Sequence, residues 1–318
     1  MTILDFAFMQ RALLAALLVG MTAPAVGVYL VQRRQAFMGD GIGHVALTGV
    51  GLGFLLSTSP VLTAVLTASV GAIAIELIRE RSRVSGDVAL SVLFYGGIAG
   101  GVMLINLAPE GSNANLQSYL FGSLTSVSPE DIRIIAVLAV AVLVVTLGLR
   151  RALFTVCQDE DFARVTGLPV RALNLLLAVT AAVTVTVAMR VVGLLLVSAL
   201  MVVPVAVAQQ VSRTFAMTAA VAIVVGVLVS VSGTALTYYV DAPPGATIVL
   251  LAIALFVVVG VLATPLNRRR ARQAEAALAA ADEARVDDVH VDAEAPHAGT
   301  MAIQAHNVRP AAIEEAPR

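Results

Sequence analysis

The stretch ATIVLLAIALFVVVGVLAT, residues 246–264, runs for 19 positions without one charged side chain. A bilayer core is about 30 Å thick, and an α-helix needs roughly 20 apolar residues to cross it, so this stretch predicts a transmembrane helix. The whole chain shares its character, because 59% of its 318 residues are hydrophobic, 13% are charged, and the mean hydropathy is +0.92. A soluble domain has about 25% charged residues, so most of this chain is predicted to lie in lipid.

Eight further apolar runs of similar length precede this one. The nine candidates cover 9–31, 41–57, 61–78, 88–108, 132–149, 172–189, 191–208, 214–236 and 246–264. The second run is short and rich in glycine, which is also compatible with a broken or partly re-entrant helix buried in protein. The sequence therefore predicts an all-α, polytopic integral membrane protein with about eight or nine transmembrane helices.

The arginines predict how the chain is oriented. Lys and Arg together number 20, and all of them are arginine. Arginine accumulates in cytoplasmic loops, and nine crossings place all of the arginine-rich loops on that side. These loops contain Arg33 and Arg34, Arg79 to Arg83, Arg150 to Arg171, Arg213, and Arg268 to Arg270. The C-terminus is then cytoplasmic and the N-terminus outside. If the first run is not a full crossing, only the N-terminus changes side.

The composition changes near Asn267. Residues 1–266 are predicted to form the membrane domain, and residues 267–318 a disordered cytoplasmic tail that is rich in alanine and charge and has no aromatic residue. The tail contains His290, His297 and His306. A weak metal-capturing tail is one interpretation, but a solvated tail with incidental histidines is favoured because the spacing fits no compact ligand set.

Several classes of protein are disfavoured by composition. The net charge of −1 implies no nucleic-acid partner. Cys157 is the single cysteine, so no disulfide can form within the chain. The Walker A motif needs a lysine, and the chain has none. We therefore predict that the chain is not itself an ATPase. A transporter of this kind either uses an ion gradient or depends on a separate ATPase subunit.

Asp40 and His44 stand out inside the apolar stretch MGDGIGHVALTGVG, residues 38–51. Ionisable groups in membrane segments are expensive and commonly mark a pathway. At i and i+4 on a helix the two side chains share one face, and a carboxylate with a neutral imidazole suits Zn²⁺ or Mn²⁺. Three interpretations remain open: a ligand pair for an ion in transit, a self-satisfied pair with Asp40 as helix cap, and a proton relay.

The stretch CQDEDFARVTGLPVRALN, residues 157–174, predicts a short helix in a cytoplasmic loop. Acidic residues precede it and a glycine follows it, as at many helix ends. Such a helix can serve as a docking surface for a partner protein. An ordinary amphipathic loop is the alternative.

These features together resemble the ABC-transporter permease family for zinc, manganese and iron, the ZnuB-like proteins. The resemblance covers about residues 7–265 and excludes the tail. Two small departures are Glu160 and Thr48, which stand where the family often has proline. The similar stretches are MGDGIGHVALTGVGLGF (38–54), LQSYLFGSLTSVSPEDI (116–132), DEDFARVTGLPVRALN (159–174), RVVGLLLVSALMVVPVAVAQQVSR (190–213) and YYVDAPPGATIVLL (238–251).

The resemblance implies a permease of the ABC type II importer kind in the plasma membrane. It would form a homodimer around a central path, pair with a cytoplasmic ABC ATPase, and receive metal from an extracytoplasmic binding protein. Asp40 and His44 would coordinate the ion, while Asp159, Ala163 and Gly167 would belong to the helix that couples to the ATPase. No resident cofactor is implied, because the metal is cargo.

Zinc is the expected cargo, because of the nitrogen ligand and the resemblance, and manganese and ferrous iron are the alternatives. A siderophore or cobalamin permease has a similar architecture, but its large substrate needs no small ligand pair. A gradient-driven transporter should show inverted internal symmetry, and no clear repeat is visible. A membrane scaffold without transport activity is the remaining alternative.

Overall fold

The computed structural model describes residues 6–81, 86–108, 118–123, 127–240 and 242–263, and the regular secondary structure in these ranges is helical. A short helical segment occupies 118–121, and a single 3-10 turn, Leu194–Leu196, connects α8 to α9. The helices are α1 (Ala7–Gln32), α2 (Met38–Leu55), α3 (Pro60–Arg81), α4 (Gly86–Leu107), α5 (Pro129–Gly148), α6 (Arg150–Gln158), α7 (Glu160–Val165), α8 (Val170–Val192), α9 (Val197–Val211), α10 (Phe215–Thr237) and α11 (Pro244–Ala263).

Seven of these helices are long and apolar enough to cross a membrane: α1, α3, α4, α5, α8, α10 and α11. The other two apolar runs also fold as helices. One is the glycine-rich α2, with 18 residues, and the other is α9, with 15. All nine runs singled out in the sequence are therefore helical, and the predicted all-α membrane architecture is confirmed.

Helices α1 and α8 lie at the centre of the bundle. In each, 72% of the most apolar window is buried, against 22% in α5, α10 and α11. Helix α2 packs against α4, α3 and α8, while α1 packs against α10, α9, α5 and α8. Apolar side chains on the outer helices, such as Val92, Val144 and Leu250, face outward. Lipid solvates such surfaces, so they need no protein cover.

The arginines mark one end of the bundle, which we call the α7 end. There Arg33 and Arg79 contact Glu160 of α7, and Arg171 pairs with Glu80. At the opposite end, Arg190 pairs with Asp131 and donates a hydrogen bond to the Tyr119 hydroxyl at 3.0 Å. Arg33, Arg79 and Arg171 thus share one end, as the charge pattern predicts, while Arg83 and Arg268 to Arg270 lie outside the described residues.

The membrane bundle belongs to a compact unit that ends at Ala263. The predicted boundary at 266, the tail of residues 267–318 and its three histidines lie outside the described residues. Their predicted disorder and cytoplasmic location stay predictions.

A buried hydrogen bond joins α1 to α5, and its removal gives a test of the packing. The Tyr29 hydroxyl donates to the Thr146 carbonyl oxygen at 2.6 Å. Interhelical hydrogen bonds in membrane proteins contribute about 0.6 kcal/mol on average. Tyr29→Phe should therefore lower the thermal unfolding temperature in detergent by about 1–2 °C. The exposed Tyr239 provides the matched control, and an equal shift in Tyr239→Phe would contradict the assignment.

Candidate functional site

Helix α2 carries both residues of the candidate metal site. Asp40 lies in its first turn and His44 one turn later, so the two side chains share a face. The residue that caps α2 is Phe37, and no side chain caps the helix by a hydrogen bond. Asp40 is therefore placed inside the helix and not at its N-cap position.

A hydroxyl from another helix contacts Asp40. Ser198, near the start of α9, donates from its Oγ to Asp40 Oδ1 at 3.2 Å. On its other side Asp40 borders a cavity of about 320 Å³ between α2 and α4. The cavity is lined by Phe37, Asp40, Leu90, Ser91, Phe94 and Tyr95. The carboxylate is half-buried and remains reachable from this cavity.

His44 is more deeply placed, with 7% of its surface exposed. Its ring meets Phe94 edge to face, with 4.3 Å between the ring centroids. Its Nδ1 atom is buried and has no hydrogen-bond partner in the part of the chain that the structure describes. A buried polar atom without a partner costs about 1–3 kcal/mol, so a ligand at this nitrogen would remove a real cost.

Helix α4 approaches α2 closely at the level of His44. A Cβ atom on Gly97 would lie only 2.6 Å from the His44 carbonyl carbon. Thr48 strengthens the contact by donating from Oγ1 to the Gly97 carbonyl oxygen at 2.8 Å. The absence of a side chain at Gly97 thus allows α4 to lie against the histidine backbone.

The pair can supply one oxygen and one nitrogen ligand to a metal ion. Across the described ranges, no group of three or more His, Cys, Asp or Glu side chains could hold a metal. Structural zinc sites have four protein ligands. The arrangement instead suits a transient ion that completes its coordination from water, backbone oxygens or a second chain.

Helix α7 is the short helix predicted in the loop. Asp159 caps it, since its Oδ1 accepts from the backbone N–H groups of Asp161 and Phe162 at 2.9 Å. Gly167 follows the helix with φ +81°, a backbone conformation that favours glycine. Ala163 is fully buried. The three predicted coupling residues therefore shape and seat the helix, while Phe162 and Val165 form its exposed face, Val165 being 87% exposed.

Some contacts were missed by sequence reasoning. Ser198 and Gly97 reach α2 from other helices, and no local pattern marks them. Glu160 was predicted as one of the acidic residues at the start of the short helix, but its contacts with Arg33 and Arg79 were not expected. Glu76 pairs with Arg79 at an oxygen–nitrogen distance of 2.7 Å, as the i, i+3 spacing of opposite charges on a helix favours.

A polytopic bundle with a polar pair on an inner helix and a short helix exposed at one end has the features expected of a membrane permease. The model of the ABC 3 transport family matches residues 5–263. The chain therefore belongs to the ABC 3 transport family, and the predicted resemblance to the metal permeases is confirmed.

Similar proteins include two membrane proteins of metal transport systems and one solved complex. The chain is 32% identical over 254 residues to the manganese transport system membrane protein MntC of Halalkalibacterium halodurans, covering 80% of this chain and 87% of that protein. It is 27% identical over 252 residues to the high-affinity zinc uptake system membrane protein ZnuB of Haemophilus influenzae, covering 79% and 96%. A chain in the structure of PsaBC from Streptococcus pneumoniae in complex with Fab superposes with a TM-score of 0.74 at 30% identity, covering 80% and 92%.

Two adjacent glycines on α4 provide a test of the packing around His44. Gly97→Ala would push a Cβ into the His44 backbone, whereas a Cβ on Gly96 would meet nothing within 4 Å. We expect Gly97→Ala to destabilise the bundle by about 1–3 kcal/mol, measured by thermal unfolding in detergent. Gly96→Ala should be neutral or slightly stabilising, because alanine favours helix. Equal unfolding temperatures in the two variants would contradict the close approach.

Proposed function

We propose that the chain is the membrane permease subunit of an ATP-driven importer for a divalent transition metal, with Zn²⁺ as its cargo. The observation that carries this proposal is the Asp40–His44 pair on one face of α2, with Asp40 bordering an open cavity between α2 and α4 in a chain of the ABC 3 transport family. The permease moves the ion, and a separate subunit hydrolyses ATP, since the chain contains no Walker lysine.

The geometry supports a weak, transient site over a storage site. Asp40 and His44 supply two ligands from one helix face. Among the described residues, no third His, Cys, Asp or Glu joins them in a group that could hold a metal. An ion bound in this way can leave again, as transport requires. Only neutral imidazole binds metal, so occupancy should fall when His44 is protonated.

The choice of zinc rests on the nitrogen ligand. Imidazole is a good zinc ligand, but Mn²⁺ and Fe²⁺ accept the same pair, and geometry and availability decide selectivity in cells. The relatives include a manganese and a zinc system, so import of manganese or ferrous iron by the same machinery is the second candidate. A siderophore or cobalamin is large and needs no small ligand pair such as Asp40 and His44, which disfavours these cargoes.

The proposal includes several partners. A cytoplasmic ABC ATPase would dock on α7, whose Phe162 and Val165 are exposed. An extracytoplasmic metal-binding protein would deliver the ion at the opposite end. Phe37 and Tyr95 border the Asp40 cavity and are largely exposed, and a second copy of the chain would cover this opening in a homodimer. The protein would lie in the plasma membrane with its C-terminus in the cytoplasm.

Removal of either ligand should abolish transport. In cells that also contain the ATPase and the binding protein, we expect His44→Ala and Asp40→Ala to reduce ⁶⁵Zn uptake to background at unchanged membrane abundance. Deletion of residues 273–318 is the control, and it should leave uptake largely intact. Competition with excess Mn²⁺ and Fe²⁺ identifies the cargo.

Wild-type uptake by either ligand variant would exclude the ligand role. If excess Mn²⁺ abolishes ⁶⁵Zn uptake, the proposed permease function stands, but manganese replaces zinc as the proposed cargo. Loss of uptake in the tail deletion, at normal abundance, would show that the tail histidines contribute.

We expect the ATPase to bind to the exposed face of α7. A Phe162→Ala, Val165→Ser double variant leaves the Asp159 cap and the buried Ala163 intact. It should weaken co-purification of the ATPase with the permease, because apolar contacts to the partner are lost. Tyr239→Ala changes an exposed residue outside α7 and should not. Undiminished co-purification of the double variant would remove α7 from the docking interface.

A further inference from the structure

Five polar side chains from four helix regions meet at the α7 end of the bundle, and we call them the Glu160 cluster. Arg33 comes from the end of α1, Glu76 and Arg79 from α3, Glu160 from the start of α7, and Asn174 from α8. They are separated by up to 141 positions in the chain, from 33 to 174. The cluster is therefore a tertiary feature.

Glu160 is the centre of the cluster. Its Oε1 accepts hydrogen bonds from Arg33 Nη2 at 2.6 Å, from Arg79 Nη2 at 3.2 Å, and from Asn174 Nδ2 at 3.2 Å. Arg79 also binds Glu76 through two nitrogens, Nη2 at 2.7 Å and Nε at 3.1 Å. One carboxylate oxygen of α7 thus joins three other helix regions.

The charges in the cluster are partly shielded from solvent, since the side chains of Arg79 and Glu160 are 29% and 31% exposed. The side chains of Arg33 and Glu76 are each only 5% exposed. Burial alone would raise the pKa of Glu160, but the hydrogen bond and charge of Arg79 and the charge of Arg33 lower that pKa below its ordinary value. Glu160 is therefore ionised at neutral pH. Arg33 is the buried partner of its pair with Glu160. Loss of the nearest carboxylate from a buried guanidinium is unfavourable, so this contact ties α7 to the end of α1.

Arg33 connects this cluster to the metal site by a short piece of chain. It ends α1, and Asp40 lies seven positions further on, in the first turn of α2. The connection is closed by backbone hydrogen bonds from Gln35 to Leu30 at 2.8 Å and from Met38 to Gln35 at 2.9 Å. The connection between Arg33 and α2 is therefore held at both ends by backbone hydrogen bonds.

We propose that Glu160 and Arg33 are positioning residues for transport, whose ion pair transmits movement of α7 to the segment that carries Asp40. The inference rests on the proposed function, in which α7 docks the ATPase and Asp40 binds the metal. When the ATPase displaces α7, the carboxylate of Glu160 moves Arg33, and Arg33 moves the entry of α2. The Glu160 cluster is a contiguous physical connection between the two sites.

A second ion pair at the same end provides a matched control. Glu80 of α3 and Arg171 of α8 are joined at 3.1 Å, and both side chains are largely exposed. This pair includes no residue of α1 or α7. Glu80→Gln therefore removes a charge at the α7 end but leaves the Arg33–Glu160 pair, and the chain from Arg33 to Asp40, unchanged.

The test uses the complete complex of permease, ATPase and binding protein in proteoliposomes. Uptake of ⁶⁵Zn and ⁵⁴Mn and hydrolysis of ATP are measured on the same samples for Glu160→Gln, Arg33→Gln, Arg33→Lys and Glu80→Gln. We expect the two glutamine variants at positions 160 and 33 to retain the ATPase and hydrolyse ATP, while metal moved per ATP falls by at least about fivefold. Arg33→Lys keeps the positive charge and should retain most of the metal moved per ATP. Glu80→Gln should move as much metal per ATP as wild type.

Each result decides between the alternatives. If Glu160→Gln moves as much metal per ATP as wild type, the proposal is overturned. Loss of ATPase binding in this variant would also overturn it, because Glu160 would then be a docking residue. A similar fall in Glu80→Gln would show that any lost charge has this effect. If wild type itself moves neither metal in an ATP-dependent manner, the proposed function fails instead.

A second measurement needs no change in the Glu160 cluster and applies even if the variants fail to fold. A nitroxide label on Arg34→Cys, next to Arg33 and exposed, reports on the α1–α2 connection. Burial raises the pKa of the Cys157 thiol to about 11, so that residue reacts slowly at neutral pH and the unsubstituted chain is the labelling control. ATP binding should change the mobility of the label. An unchanged spectrum in a complex that transports metal would overturn the proposal.

Discussion

A charge inside a bundle of apolar helices has to be compensated, because lipid and packed side chains solvate it poorly. Most of the charged groups in the interior of this protein obey that constraint. Arg190 pairs with Asp131 at one end, and Glu76 and Glu160 pair with Arg33 and Arg79 at the other. Within the described ranges Asp40 differs, because its hydrogen bond comes from the neutral hydroxyl of Ser198. A carboxylate without an ion-pair partner is what the proposed cation site requires.

The packing of α2 makes this position possible. Gly97 and Thr48 hold α4 against the backbone of His44, and Ser198 brings α9 to the carboxylate. Ion ligands on a helix surface are useful only when neighbouring helices exclude lipid but leave room for the ion. Here the close contact of α4 with α2 and the cavity beside Asp40 occur within two turns of the same helix.

The Glu160 cluster shows how compensation can also join distant parts of a membrane protein. A salt bridge on an exposed surface contributes little, whereas the pair of the buried Arg33 with the partly exposed Glu160 joins a short external helix to the core helix α1. The Arg33–Glu160 pair compensates the charge of a buried arginine. Since α1 leads directly into α2, the same pair also connects the candidate docking helix α7 to the segment that carries Asp40. Stability and transmission therefore depend on one set of atoms.

The sequence alone was enough to predict the class of the fold and the two candidate ligands. Nine apolar runs indicated nine helices because the length of a helix that crosses lipid is a local property. The i, i+4 spacing of Asp40 and His44 predicted a shared face for the same reason. The tertiary structure decided which partners these residues meet: Ser198 lies 158 positions from Asp40, and Glu160 lies 127 from Arg33. No local period encodes such separations, since helix packing alone determines which helices become neighbours and which charges they bring together.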